Sequence, residues 1–243
     1  MRKYIFILMN KLYKHFYSLY YPLYDLWKTV SDKYERDLLE KLIKPGMNIV
    51  DVGANVGVYT KFLSMLTGKT GKVYAFEPDP LNFIRLQNHV RYINNVLIKN
   101  AAIGAQSGSA NLYISDDLNV DHRTFDSGDG RKKITVPLLS LDDYFPPGKR
   151  IDLIKIDVQG YEMSVLMGAK RLLRENTDIK ILMEFWPYGL IKASVNPSEM
   201  IEFIHSFGFK IRIPTRKGWD LYDISKVNSN EISNYHNFIL MRS

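Results

Sequence analysis

The 243-residue chain contains no cysteine, which excludes disulfide frameworks, thiolate zinc sites and cysteine nucleophiles. That composition suits a reducing compartment. Long apolar runs are also missing, since no stretch approaches the roughly 20 apolar residues of a membrane-spanning helix. The apolar run at 4–9 is too short for the core of a secretory signal. We therefore expect a cytoplasmic protein, either soluble or peripheral at a membrane.

The net positive charge is small outside one end of the chain. The formal net charge is +7, and residues 1–28 carry five lysines and arginines against Asp25 alone, a net +4. A nucleic-acid-binding body needs a dense basic stripe on the domain itself, and the remaining chain has none. We expect no nucleic-acid partner.

Residues 1–45 form a predicted helical arm ahead of a catalytic domain at 46–243. Apolar residues from Ile5 to Leu23 recur at helical spacing, with lysines on the opposite face. Pro22 predicts the end of this helix or a kink in it, and a second helix is predicted at 31–43. The arm either packs on the domain or a partner subunit, or lies at a membrane surface through residues 1–28.

From residue 46 onward, short apolar runs alternate with helical patterns, which is typical of a parallel sheet with crossover helices. The predicted strands are 48–52, 72–76, 96–103, 151–156, 179–183, 209–213 and 238–241. The predicted helices are 58–66, 81–92, 164–173 and 197–207. An insertion at about 105–140 follows the third strand, with hairpin-like segments at 110–115 and 134–139 around a polar loop at 116–133. A polar loop of that length is more often functional than idle.

The heptapeptide DVGANVG at 51–57 lies between a predicted strand and a predicted helix. Gly53 and Gly57 allow a tight turn and a close approach of a ligand to the backbone. A dinucleotide fingerprint requires glycine where this chain has Asn55 and Val58. The turn therefore favours a nucleoside ligand without a pyrophosphate, such as an adenosyl sulfonium.

Glu77 closes the second predicted strand, 24 residues after Gly53. A carboxylate there can accept hydrogen bonds from both ribose hydroxyls, and Pro78 fixes the following turn. Nucleoside cofactors of several kinds use such an acid, so Glu77 predicts a ribose without selecting the cofactor.

Taken together, the motifs resemble those of the FkbM family of methyltransferases. The resemblance covers roughly residues 46–185, in the order and spacing of the family. It rests on the heptapeptide at 51–57, FEP at 76–78, NAAIG at 100–104, DLIKIDVQGYE at 152–162, VLxGA at 165–169 and MEF at 183–185. Two positions depart from the family pattern: Gln159 replaces its usual acid, and Tyr161 stands where a small residue is common.

This resemblance implies an α/β class I methyltransferase, Rossmann-like, with a seven-stranded, mostly parallel sheet and helices on both faces. S-adenosylmethionine would bind at the carboxyl ends of the strands. The cofactor-binding residues implied are Asp51, Gly53, Asn55, Gly57, Glu77, Asn100, Ala101, Ala102 and Asp157. Within this set the glycine turn would line the methionine portion, Glu77 would hold the ribose, and Asp157 would lie beside the sulfonium, where its charge suits a cation.

Transfer to an alcohol also requires a general base. The candidate catalytic residues are His122, Asp157 and Glu184. Asp121, His122 and Arg123 resemble a short family block and are candidate substrate residues, with Arg123 able to orient an anionic or polyhydroxy acceptor. Asp157 and Glu184 end adjacent strands, but two oxygens do not complete a metal site, so a divalent metal is not favoured.

We expect O-methylation of a hydroxyl on a sugar, a glycan intermediate or a specialised metabolite. Two alternatives stay open on the residues alone. Asp51, the glycine turn and Glu77 also suit an NAD(P)-type oxidoreductase, and a non-catalytic cofactor-binding module would keep the same motifs.

Overall fold

The computed structural model describes residues 2–115, 121–126, 128–222 and 235–242, with side chains described from Met9 onward. The strands of these residues are β1 (Asn48–Val52), β2 (Lys72–Phe76), β3 (Val96–Lys99), β4 (Ala102–Ile103), β5 (Gly108–Ile114), β6 (Lys132–Leu139), β7 (Leu153–Ile156), β8 (Lys180–Phe185), β9 (Lys210–Thr215), β10 (Gly218–Leu221) and β11 (His236–Met241). The helices are α1 (Arg2–His15), α2 (Tyr17–Ser31), α3 (Lys33–Leu42), α4 (Val58–Thr67), α5 (Pro80–Val90), α6 (Leu141–Tyr144), α7 (Glu162–Met167), α8 (Lys170–Glu175), α9 (Pro187–Lys192) and α10 (Pro197–Ser206).

The main sheet has the order β10-β9-β11-β8-β7-β1-β2-β3. Strands β3, β2, β1, β7 and β8 run parallel, whereas β11 is antiparallel to both β8 and β9. The described sheet has eight strands where seven were predicted, because β10 adds an antiparallel edge to β9. Most of β10 is exposed, so its residues lack the apolar run that marks the buried strands.

The strands of the sheet centre are buried on both faces. In β8, Ile181, Met183 and Phe185 belong to the larger core cluster, and Leu182 belongs to a second cluster across the sheet. This two-sided burial explains why the parallel strands read as continuous apolar runs in the sequence.

The predicted third strand at 96–103 is wrong in its extent, because the chain leaves the main sheet at Asn100. Beyond it, β4 pairs with β6 in a separate three-stranded sheet of order β4-β6-β5. The antiparallel pairing of β5 with β6 agrees with the predicted hairpin. Residues 116–120 and 127 of the predicted polar loop lie outside the described residues.

The helix predicted at 164–173 is two helices, α7 and α8, with Gly168 between them. A Cβ at Gly168 would lie 1.9 Å from the carbonyl oxygen of Gly104, so only glycine allows this approach. The short helices α6 and α9 were not predicted, since four and six residues carry too little periodicity.

The arm breaks at Phe16 rather than at Pro22. Phe16 has φ −134° and ψ 55°, outside the helical range, whereas Pro22 lies inside α2. A proline there removes the bond to the carbonyl of Ser18, and Ser18 is exposed, so water can satisfy that group. None of the helices in the described part of the chain is long and apolar enough to cross a bilayer.

One side of the arm packs on the rest of the protein. Tyr13, Tyr20 and Tyr24 are buried with Val56 and Val58 at the start of α4. The hydroxyl of Tyr13 donates a hydrogen bond of 2.6 Å to Oδ1 of Asn82 in α5. In α3, Leu38 and Leu39 belong to one of the clusters that cover the sheet. On this side of its helices, the arm is therefore packed as expected from the hypothesis that it lies against the domain.

Candidate active site

A cavity of about 620 Å³ lies at the carboxyl ends of the parallel strands. Parallel register places these ends together, since Asp51 lies opposite Lys155 and Ile156 lies opposite Met183. Ligands of open α/β sheets bind at this edge. The cavity wall combines the turns after β1, β2 and β7 with the end of β8, the insertion and the arm.

The turn after β1 brings backbone close to the cavity. Gly53 has φ +80°, and a Cβ there would lie 1.9 Å from the carbonyl oxygen of Asp157. Asn55 has φ +51°, a left-handed conformation that asparagine tolerates better than most residues. Gly57, with φ +92°, faces away from the cavity, where a Cβ would lie 2.7 Å from Cδ1 of Leu86.

Glu77 is buried and tied to two backbone amides. Its Oε2 accepts a hydrogen bond of 2.7 Å from the Asn55 N–H, and its Oε1 accepts one of 2.9 Å from the Asp79 N–H. Burial raises the pKa of Glu77 to about 8, although these two bonds act to lower it. Each carboxylate oxygen can accept a further bond, so Glu77 suits a ligand with paired hydroxyls.

Asn100 contributes to the same corner without lining the cavity. Its Nδ2 donates to the backbone oxygens of Glu77 at 2.7 Å and Pro78 at 3.1 Å. Ala101 and Ala102, which follow it, do line the cavity. Asn100 therefore holds the Glu77 turn in place.

Lys155 forms a buried charge centre in the cavity wall. Its Nζ lies 3.4 Å from Oδ1 of Asp51 and 3.8 Å from Oδ2 of Asp157. Asp51 is fully buried and accepts a hydrogen bond of 2.7 Å from Thr60, so it supports the site from below rather than lining it. A lysine inside the apolar strand Leu153–Ile156 was the sequence signal for this centre, and sequence reasoning missed it.

Gln159 joins the two candidate carboxylates. Its Nε2 donates to Oδ1 of Asp157 and to Oε2 of Glu184, both at 3.0 Å. Gln159 has φ +54°, a strained conformation for a residue of its size. The departure from the family pattern at 159 thus places an amide donor between two acids.

The two carboxyl groups have opposite pKa shifts. Burial raises the pKa of Glu184 well above its ordinary value, and the charge of Asp157 raises it further. Burial also opposes ionisation of Asp157, but the ammonium groups of Lys155 and Lys28 lower its pKa below the ordinary value. The site therefore holds one ionised carboxylate beside one carboxyl that binds a proton readily.

The arm supplies a wall that sequence reasoning did not predict. Tyr24, Trp27 and Lys28 of α2 line the cavity, as does Asp32. Lys28 Nζ lies 2.6 Å from Oδ2 of Asp32, and the hydroxyl of Tyr59 donates to that oxygen at 3.0 Å. In the sequence, Lys28 is recognisable only as one of the basic residues of segment 1–28. No local sequence pattern indicates that its side chain contacts the site.

The insertion closes another side through Asp121, His122 and Arg123, which all line the cavity. Arg123 donates from Nε and Nη2 to the two oxygens of Asp121, at 2.9 and 3.0 Å, and its guanidinium lies 5.2 Å from the ring centre of Trp186. Arg131 also bonds Asp121. These contacts fix the segment in place and leave Arg123 paired.

His122 is poorly arranged to act as a base. Its Nδ1 accepts a hydrogen bond of 3.0 Å from the Ser115 N–H. This bond assigns the proton of the neutral ring to Nε2, which then donates rather than accepts. His122 is therefore better suited to donate a hydrogen bond to the hydroxyl oxygen of a methyl acceptor than to remove the proton of that hydroxyl.

The cavity brings together most of the predicted site residues. Those that line it are Gly53, Asn55, Glu77, Ala101, Ala102, Asp121, His122, Arg123, Asp157 and Glu184. Asp51, Gly57 and Asn100 instead support the wall from behind. Across the described residues, no group of three or more histidines and acids could hold a metal ion.

The strand order and the placement of the cavity define a class I methyltransferase fold. The profile of the Methyltransferase FkbM domain matches residues 51–211, well over half of the chain. The chain belongs to the FkbM family of S-adenosylmethionine-dependent methyltransferases. The predicted family, fold class and cofactor are thereby confirmed.

Two characterised relatives and one solved structure are similar to the chain. The hexuronic acid methyltransferase AglP of Haloferax volcanii is 26% identical over 157 residues, which is 62% of each protein, so the match spans less than two thirds of that relative. The 2-O-methyltransferase NoeI of Sinorhizobium fredii is 26% identical over 204 residues, 76% of this chain and 82% of NoeI. The Streptococcus mutans protein SMU.1697c, solved in complex with SAH, shares the fold with a TM-score of 0.52 at 13% identity, over 87% of this chain and 97% of that one.

Proposed function

We propose that the protein methylates a hydroxyl of a sugar, glycan intermediate or specialised metabolite, with Glu184 as the general base. The observation that carries the proposal is the Gln159-bridged pair, in which Asp157 is ionised and Glu184 has a raised pKa. A base is most effective when its pKa approaches the working pH. The names of AglP and NoeI, a hexuronic acid methyltransferase and a 2-O-methyltransferase, support an oxygen acceptor on a sugar.

The residues present fit S-adenosylmethionine. Gly53 removes the Cβ that would block the approach to Asp157, and Glu77 offers acceptors for ribose hydroxyls. Asp157 would face the cationic end. When bound, S-adenosylmethionine supplies a methyl group activated by positive sulfur.

The chain's own groups then position the acceptor and take its proton. The acceptor oxygen would take the methyl group that S-adenosylmethionine supplies, leaving S-adenosylhomocysteine, and Glu184 takes the hydroxyl proton. Lys155 keeps Asp157 ionised, while Gln159 holds both carboxylates in place. Beyond proton removal, the protein contributes to the rate by aligning the reacting groups.

The charges of the cavity wall favour a methyl acceptor whose part inside the cavity is uncharged. The cations that line the cavity are each paired with a carboxylate: Lys28 with Asp32, Arg123 with Asp121, and Lys155 with Asp51 and Asp157. Glu184 adds a further acid to the same wall. Among the described residues, the wall therefore offers no unpaired cation to a carboxylate or phosphate on the acceptor, and in this respect the proposed acceptor differs from the hexuronic acid in the name of AglP.

The test is transfer of a radiolabelled methyl group from S-adenosylmethionine to matched neutral glycosides and uronosides. We expect turnover on neutral glycosides, and a loss of about 100-fold or more in kcat for Glu184→Gln with unchanged SAH affinity by calorimetry. Glu199→Gln, an exposed carboxylate, is the matched control. Full turnover by Glu184→Gln would refute the assignment of Glu184 as the base. A preference for uronosides would refute the neutral acceptor. SAH binding with no turnover on any acceptor would favour a non-catalytic binding module.

A further inference from the structure

The outer face of α2 is apolar and exposed. Large apolar side chains recur there at intervals of three and four residues, so they lie on one side of the helix. They are between 49% and 69% exposed: Phe16, Leu19, Leu23, Leu26, Trp27 and Val30. The adjoining side carries Tyr20 and Tyr24, which are buried against the catalytic domain. The helix is therefore anchored by one face and presents a second apolar face to the surroundings.

The exposed charge beside this face has one sign. Among residues 9–31, the exposed charged side chains are Lys11 and Lys14, one turn before Phe16, and the single acid, Asp25, is partly buried. A contiguous exposed face of six large apolar side chains marks an interaction site. Since basic residues flank it and no exposed carboxylate interrupts it, the chemistry that complements it is an apolar layer beneath anionic groups.

We propose that the outer face of α2 lies flat on an anionic lipid bilayer. Helices of this kind bury their apolar face at the boundary between headgroups and acyl chains, and their lysines meet the anionic headgroups. This binding is separate from the methyl transfer proposed above and does not depend on it.

The placement of α2 gives the binding a consequence for the cavity. Trp27 belongs to the apolar face and also lines the cavity, and Lys28 beside it reaches Asp32 in the cavity wall. A bilayer that held the outer face of α2 would therefore hold the cavity beside the lipid surface. Acceptors presented at that surface would reach the cavity without diffusing through bulk solvent.

The experiment is co-sedimentation of the full chain with vesicles of phosphatidylcholine alone or with phosphatidylglycerol added. We expect binding to the anionic vesicles, weakened about tenfold or more by Leu23→Ser/Leu26→Ser, because two large apolar side chains leave the interface. Lys11→Gln/Lys14→Gln should weaken binding at low salt and have less effect at high salt. The matched control is Met65→Ser/Leu221→Ser, which removes two apolar side chains elsewhere that are at least as exposed, and it should bind as the wild type does.

Three results would overturn the proposal. One is equal sedimentation of the α2 variant and the control, and another is no sedimentation of folded wild-type protein with either vesicle. The third is a wild-type dimer, measured by light scattering, that Leu23→Ser/Leu26→Ser converts to a monomer without any vesicle binding, which would make the face a contact between two copies. SAH affinity of each variant, measured by calorimetry, separates a loss of folding from a loss of surface binding.

Discussion

The side-chain amide of Gln159 donates a 3.0 Å hydrogen bond to Oε2 of Glu184, at the point where the family pattern has an acid. The same nitrogen lies 3.0 Å from Asp157. An uncharged donor thus lies between two carboxylates, where a third acid would add repulsion and a cation would add attraction. Burial and the neighbouring charges set the direction of both pKa shifts, and the hydrogen bond from this amide adds to the lowering of the pKa of Asp157.

The first prediction concerns the pH dependence of turnover. Glu184 accepts a proton only in its ionised form, and its pKa is raised above that of an ordinary glutamate. The proposed reaction should therefore slow as the pH falls through that raised pKa, so the acid limb of kcat lies above the usual carboxylate range. A pH profile of kcat at saturating acceptor measures this limb, and a limb near the ordinary value of a glutamate would contradict the role of Glu184.

Gln159→Glu should move that limb to higher pH. The new carboxylate repels Asp157 and Glu184, so the pKa of Glu184 rises further. The three acids should also gain affinity for a divalent cation, because oxygen ligands then surround one point. Magnesium titration by calorimetry, with and without a chelator in the activity assay, tests both effects against Gln87→Glu, an exposed control. We expect the wild type to keep its activity in the chelator.

Lys155→Met should destabilise the fold by about 3 kcal/mol, since it removes the cation beside the buried carboxylate of Asp51 and one of the cations near the partly exposed Asp157. The free energy of unfolding in urea, followed by circular dichroism, measures the loss. Lys99→Met replaces an exposed strand lysine and should change stability by about 0.5 kcal/mol or less. Equal effects of the two substitutions would show that the buried charge centre contributes nothing.

Glu77→Gln should weaken binding of SAH by about 10- to 100-fold. The amide cannot accept at both ends, so one of the bonds from Asn55 or Asp79 is lost, as is an acceptor for the ligand. Calorimetric titration with SAH measures the affinity, with NAD as the control ligand. Glu202→Gln, an exposed glutamate, is the matched variant. Tight binding of NAD by the wild type would favour the oxidoreductase alternative instead.

Gly53→Ala should cost more stability than its backbone conformation alone explains. Gly53 and Gly148 have similar φ values, +80° and +73°, but a Cβ at Gly53 meets the carbonyl of Asp157, and a Cβ at Gly148 meets nothing within 4 Å. We expect Gly148→Ala to cost about 1–2 kcal/mol and Gly53→Ala to cost clearly more, with loss of SAH binding. Urea unfolding of both variants gives the comparison.

The sequence by itself determined the elements whose causes are local. The heptapeptide at 51–57 requires a tight turn because Gly53 and Asn55 take positive φ, and the apolar runs at 48–52 and 179–183 require strands buried on both faces. The place of Glu77 followed from its position directly after the apolar run at 72–76. These features could be predicted because each depends on residues close together in the chain.

Only the tertiary structure decided which distant groups meet at the site. Asp51, Lys155 and Asp157 form one charge centre because β1 and β7 are neighbours in the sheet, and Lys28 enters the cavity because Tyr20 and Tyr24 pack α2 against α4. The break at Phe16 and the departure of the chain from the sheet at Asn100 also went unpredicted. The physical reason is common to all of them: burial and long-range pairing fix these positions, and neither leaves a period in the local sequence.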